Sequence, residues 1–311
     1  MGLGWGMARK LRIEHEGALY HVINRGNYRR DVFESAGTAQ AFEETLWEAC
    51  AMHGWRLHAH VVMRNHYHLA LETPQANLVA GMHWLQSTFS TRFNRFRQER
   101  GHLFQGRYQA ILVETLAGLS GVVDYIHLNP VRAGIVEVAQ LTAFRWSSLR
   151  RFMRGPRPAS LVAEDFLAQR GLSDSEAGWA GYVQELQALA GDAGEQERRG
   201  FKTMSKGWAI GTHCWRQALI NDHAQRALDP GLERAELSEF REARWGEVLV
   251  EALRTVGKAL EDAAAEPKRA DWKLEAMRAL RAEGVPYKWI TEKLHMGKPD
   301  VLRVYVSRQR A

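Results

Sequence analysis

The chain has 311 residues, 45% hydrophobic and 25% charged, with a formal net charge of +6 and a pI near 9.4. That composition suits a globular protein of two domains, or of one domain with a large appendage. No apolar run approaches the about 20 residues that span a bilayer, and the N-terminal Met1-Gly2-Leu3-Gly4-Trp5-Gly6 lacks the basic and then apolar order of a signal peptide. No membrane partner is expected, and a cytoplasmic, nucleoid-associated location is. The two cysteines, Cys50 and Cys214, are then expected as free buried thiols.

Alternating apolar residues predict a strand over Ala18–Asn24, followed by the turn Asn24-Arg25-Gly26-Asn27. Thr38–His53 reads as a helix with Phe42, Leu46, Ala49 and Cys50 on one face. Trp55–Met63 and His66–Glu72 read as antiparallel strands around a turn near Asn65, and Pro74 ends the second. Asn77 is placed to cap a long helix whose apolar stripe is Leu78, Met82, Leu85, Phe89, Phe93 and Phe96. A loop, Phe104-Gln105-Gly106-Arg107, leads into a strand over Tyr108–Glu114, and a helix over Leu119–Asn129 ends at Pro130. The order β-α-β-β-α-β-α predicts an α+β domain with a largely antiparallel sheet over residues 1–155.

Beyond Pro156 and Pro158 the strand signal fades, and an all-helical C-terminal region is expected. Residues 156–200 form an acidic connector and residues 201–311 a helical domain. Its last part predicts helices over Trp272–Glu283, Tyr287–Leu294 and Asp300–Arg308, a pattern that suits a helix-turn-helix DNA reader or a plain packing bundle.

Positive charge is laid down in blocks. Gln86–Gln109 holds Arg92, Arg95, Arg97, Arg100 and Arg107 against the single acid Glu99. Phe144–Pro158 holds Arg145, Arg150, Arg151, Arg154 and Arg157 with no acid. Such blocks suit a protein that tracks phosphates, and equally a solvated basic surface.

Two segments carry chemistry. In Asn65-His66-Tyr67-His68-Leu69, residues two apart on a strand share a face, so His66 and His68 can ligate one divalent metal while Tyr67 faces the other way. In a chain with 13 histidines the pair is weak evidence alone, and a second one, His58-Ala59-His60, competes with it. In Asp124-Tyr125-Ile126-His127-Leu128-Asn129-Pro130, the helical spacing puts Tyr125 and Asn129 on one face. Asn129 then offers an amide oxygen as a third ligand, with Tyr125 one turn away. The bland alternative is a buried tyrosine bonded to Asn129 or the backbone. His127 falls on the opposite side.

Residues 8 to 155 resemble the HUH single-tyrosine transposases of insertion sequences, and most of all their REP-associated tyrosine transposase branch. The segments that carry the resemblance are Ala8–Ile13, Gly17–Val22, Asn24–Asn27, Asn65–Leu69, Leu103–Tyr108 and Tyr125–Gly134. The resemblance implies an HUH-type, ferredoxin-like fold, His66 and His68 as metal ligands in preference to His58 and His60, and Tyr125 as nucleophile. Insertion-sequence enzymes carry glutamine four residues after the tyrosine; Asn129 departs from that and agrees with the REP-associated branch.

The implied reaction is metal-dependent cleavage and rejoining of hairpin-bearing single-stranded DNA through a 5′-phosphotyrosine, with Mg²⁺ or Mn²⁺. No nucleotide cofactor is expected, because no GxxxxGK[ST] loop is present. Phosphate contacts are expected from Arg92, Arg95 and Arg100 on the basic helix face, from Arg25, Asn27 and Arg107 in loops, and from Arg132. A homodimer is left open, since in some relatives the tyrosine helix completes a partner's site. Two alternatives stand beside this reading: a DNA-binding protein that recognises repeat hairpins without cutting, and a hydrolase in which water attacks.

Overall fold

The computed structural model describes residues 13–154, 157–222, 245–246, 248–300 and 302. Contacts divide it into two units, the first reaching Arg216 and the second lying beyond it.

The first unit is built on a sheet of order β2-β3-β1-β4-β5. Its strands are β1 (Ala18–Arg25), β2 (Arg56–Val62), β3 (His66–Thr73), β4 (Gln109–Val113) and β5 (Ala209–Ile210). The first four pair antiparallel, as their alternation and turns predict. The two-residue β5 lies parallel to β4 and comes from the region expected to be all-helical. Two residues carry no readable period, so only the tertiary fold recruits them.

Helices cover both faces of the sheet, which is why its strands are buried almost throughout. On one face lie α1 (Ala36–His53) and α2 (Leu78–Arg97). Ser35 caps α1 by accepting from the Thr38 amide at 3.2 Å, and Gly54 ends it with a φ of 65°. Phe33 and Phe42 pack on Tyr67 with Phe89 behind them, and the Tyr67 hydroxyl accepts from Gln86 Nε2 at 2.8 Å. Tyr67 thus points away from His66 and His68, as the strand period requires.

Three expectations about these helices change. Asn77 makes no side-chain cap for α2; its amide instead accepts from Trp55 Nε1 at 2.8 Å and donates to the His53 carbonyl at 2.9 Å. Phe96, the last member of the predicted stripe, is 78% exposed, because the stripe outruns the sheet it packs on. Pro130 does not end the third helix, α3 (Leu116–Arg132), but sits in its last turn.

Gly81 on α2 faces the Trp55 ring so closely that an added Cβ would overlap it. Trp55 is 1% exposed and held by its bond to Asn77. Gly81→Ala is therefore expected to lower stability by about 1–3 kcal/mol through overpacking. Urea denaturation checks this, and a midpoint equal to wild type would refute the close packing.

The opposite face carries α3. α4 (Ser148–Met153), α5 (Glu164–Ala168) and α6 (Glu176–Gly191) pack on that side, with α7 (Ala193–Arg198) against α6, and α8 (His213–Asp222) follows in sequence. The segment 156–200, set apart by its acidity, packs α5 and α6 against α3. Its acids are partly consumed there: Glu185 pairs with Arg170 at 3.2 Å, and Asp174 pairs with Arg157. Cys50 is buried and Cys214 exposed, and both are free thiols.

The second unit has its own core, including Leu249, Leu274, Met277, Leu280, Ile290 and Leu294. Two of the predicted tail helices occur as Asp271–Ala282 and Tyr287–Lys293. The third expected helix, 300–308, lies almost wholly outside the described residues. Lys273 is buried and donates to the carbonyls of Ala263 at 2.7 Å and Glu266 at 3.0 Å. It holds the end of helix Asp262–Ala265 as a fixed cation there.

Candidate active site

Strand register brings the site together. Arg25 lies opposite His66, and Ile23 opposite both His68 and Gln109. Residues directly opposite share a face, and so do alternate residues of one strand. His21, Ile23, Arg25, His66 and His68 therefore all point toward α3. Tyr125 and Asn129 on α3 complete the same cleft, of about 450 Å³, together with Arg107 and Arg132.

The two imidazoles are oriented by partners at Nδ1. His66 Nδ1 lies 2.7 Å from Asn65 Oδ1, and the Asn65 amide nitrogen donates to the Arg29 carbonyl at 3.3 Å, which fixes its oxygen as the acceptor. His68 Nδ1 lies 2.9 Å from His21 Nε2, and His21 Nδ1 lies 2.9 Å from the Met204 carbonyl. A carbonyl can only accept, so His21 carries its proton on Nδ1 and accepts at Nε2. His68 must then donate from Nδ1. Both His66 and His68 are left with the lone pair on Nε2.

Burial holds all three rings neutral. His21 and His66 are each pushed down to about 4, by burial foremost. His68 is held well below the ordinary histidine value, by burial first and then by His21, His66 and the cations Arg25 and Arg132. Neutral imidazoles with outward lone pairs are the donor form a divalent metal takes.

Tyr125 is 6% exposed. Its ring meets His21 at 5.6 Å, His68 at 5.7 Å and Phe201 at 5.5 Å, and Arg132 lies over it at 4.7 Å. Its hydroxyl makes no hydrogen bond among the described residues, so the alternative of a tyrosine tied to Asn129 is not realised. Asn129 is 7% exposed and lines the same cleft.

The residue before it is anchored elsewhere. Asp124, 1% exposed, receives Arg170 at 2.8 Å, Arg199 at 3.0 Å and the Tyr182 hydroxyl at 3.0 Å. Burial pushes its carboxyl up from the ordinary value while Arg170 and Arg199 pull it down. His127, on the far side of α3, lies 2.8 Å from the hydroxyls of both Tyr182 and Ser148.

The residues expected to touch DNA divide. Arg25, Arg107 and Arg132 line the cleft; Asn27, Arg92, Arg95 and Arg100 do not. Arg92 forms a two-pronged pair with Glu48 at 2.8 Å, so its charge is already matched. The rival pair His58 and His60 sits apart from the cleft. His60 Nε2 bonds Glu43 at 2.8 Å. His58 groups with Glu72 and Asp165 in a set of metal-ligand type, but Arg56 bridges those two carboxylates at 2.8 Å each and supplies the cation.

His21, Phe201, Met204 and Ser205, which lines the cleft, are the residues that sequence reasoning passed over. His21 was legible by counting two back from Ile23 on an alternating strand. The Phe201–Ser205 loop had no signal, because its place follows from tertiary packing.

Residues 15–129 match the family model described as IS200-like transposase. Among solved structures, a REP-associated tyrosine transposase bound to a REP hairpin aligns at 18% identity and a TM-score of 0.41, over 51% of this chain and 93% of that one. A protein of Deinococcus radiodurans assigned as a transposase aligns at 22% identity and a TM-score of 0.29, over 41% of this chain and 92% of that one. No curated protein matches. Residues 15–129, rather more than a third of the chain, are thus similar to the IS200-like transposases.

Proposed function

We propose that this transposase cuts and rejoins hairpin-bearing single-stranded DNA through a covalent bond to Tyr125. The observation that carries the reading is one cleft holding two imidazoles with free Nε2 lone pairs beside a tyrosine hydroxyl that makes no hydrogen bond among the described residues. His66, His68 and Asn129 line one cleft, and two neutral imidazole nitrogens with an amide oxygen would suit Mg²⁺ or Mn²⁺ as a donor set. Such an ion would supply charge neutralisation at the scissile phosphate.

Tyr125 Oη attacks phosphorus. An O–P bond forms, the bond to the 3′ oxygen breaks, and a 3′-hydroxyl leaves as a 5′-phosphotyrosine remains. The bond is kept as an ester, so attack by a 3′-hydroxyl reverses the step without a nucleotide cofactor. Arg25, Arg107 and Arg132 are the cations placed to receive the flanking phosphates. The DNA is expected to resemble the repeat hairpin of the REP-associated branch, and the helices at 271–293 are a further candidate DNA contact.

The test is a denaturing gel of protein incubated with hairpin-bearing single strands and Mn²⁺ or Mg²⁺. A metal-dependent protein–DNA adduct supports the reading. Cut DNA without an adduct would point to attack by water, and binding with neither product to an inactive binder.

His21 acts on the metal through His68. His21→Ala is expected to weaken Mn²⁺ binding by about 10–100-fold in calorimetric titration. His21→Gln, whose amide oxygen can still accept from His68, should lose less. Equal affinity in both variants would remove His21 from that role.

A further inference from the structure

The arginine block at 144–158 is not part of the cleft just described. Its backbone continues the sheet edge: the Val62 amide donates to the Trp146 carbonyl at 2.8 Å, and Val61 bridges to Ser147. This sets Arg145 before α4, Arg150 and Arg151 on it, and Arg154 and Arg157 after it, all around a concavity of about 820 Å³ against α1. Trp47 and Trp146 form its apolar walls.

Of the acids lining this surface, Glu44 accepts from the Gln40 amide at 2.9 Å and has no ion pair among the described residues, so three guanidiniums still outnumber it. Glu43, 1% exposed, is bound by Arg151 at 2.6 Å and His60 at 2.8 Å, and Arg157 is paired with Asp174. Arg145, Arg150 and Arg154 have no ion pair among the described residues. Arg150 donates to the Ala143 carbonyl at 3.0 Å, and Arg145 donates to the Gln40 amide oxygen at 3.4 Å and lies over the Trp146 ring at 4.5 Å. Three unmatched guanidiniums on one concave wall repel one another, and the field they make attracts an anion with several spaced charges. Tryptophan faces interleaved with arginines add a platform on which bases stack.

We propose that this surface is a second nucleic-acid site, which binds single-stranded DNA through its phosphates and bases, apart from the cleft of His66, His68 and Tyr125. It depends on the chain handling DNA and not on the chemistry of Tyr125.

The test uses the full chain without metal. A poly-thymidine strand, which forms no hairpin, is titrated by fluorescence anisotropy across a range of salt concentrations, beside a duplex of equal length. The protein variants are wild type, Arg145→Glu/Arg150→Glu/Arg154→Glu and the neutral Gln version of the same triple. Loss of three phosphate contacts should cut the slope of log affinity against log salt by about 2 and weaken single-strand binding at low salt on the order of tenfold. The Gln triple, which is less disruptive to folding, should show the same change in slope. Unchanged slope and affinity in both triples would overturn the proposal, and so would an equal loss on duplex. Binding here is read without cleavage, so failure of the phosphotyrosine reaction leaves the result interpretable.

Discussion

Replacing Tyr125 by phenylalanine is expected to abolish the covalent protein–DNA adduct and to lower strand cleavage on the order of 10⁴-fold or more. Loss of a nucleophile has effects of that size, because what remains is only binding and charge stabilisation. The folded state should hardly notice. The Tyr125 hydroxyl makes no hydrogen bond among the described residues, while its ring keeps every contact with His21, His68, Phe201 and Arg132. A melting midpoint and hairpin affinity close to wild type, with no adduct on a denaturing gel, is the expected combination. An adduct that persists in the phenylalanine variant would remove Tyr125 as the nucleophile.

The second large effect concerns stability. Asp124→Ala leaves the Arg170 guanidinium, whose side chain is 12% exposed, with the half-exposed Glu185 at 3.2 Å as its remaining carboxylate, Arg199 with Glu195 at 2.8 Å, and the Tyr182 hydroxyl with His127 at 2.8 Å. Breaking a buried pair from one side costs about 3–5 kcal/mol, and the low end is expected because Glu185 still faces Arg170. Urea denaturation should show that loss for Asp124→Ala and a smaller one for Asp124→Asn, which keeps an oxygen toward Arg170. Adding Arg170→Met to Asp124→Ala should restore part of it, because the uncompensated charge is then gone. A loss under about 1 kcal/mol in Asp124→Ala would show that the network contributes little.

Most of the sheet was legible in the sequence because the two-residue period and the turns around Asn65 and Gly26 speak for themselves. The same period put His66 and His68 on one face and Tyr67 on the other. Helical spacing likewise paired Tyr125 with Asn129. Legibility failed where tertiary contacts decide. Phe96 continues a stripe past the edge of the sheet, and Asn77 prefers Trp55 to the helix end. Pro130 is tolerated because the last turn of α3 can close around it. The arginines of the cleft do not come from one block of sequence: Arg92 is claimed by Glu48, whereas Arg25, Arg107 and Arg132 meet from three separate segments. Neither His21 nor the Met204 carbonyl could be linked to His68 without the register of β1 on β3.

The hydrogen bond from His21 to the Met204 carbonyl reaches across 183 positions of chain. The family pattern stops at residue 129, yet the proton that aims one of its histidines is placed by a backbone atom far outside it. A fragment trimmed to that domain would keep His66, His68, Tyr125 and Asn129 and lose that carbonyl, the Phe201 ring behind Tyr125 and both arginines that hold Asp124. Domain boundaries drawn by similarity would therefore give a fragment that looks complete and is mis-tuned. Minimising this protein calls for keeping the chain at least through β5 (Ala209–Ile210), the last strand of the first unit's sheet.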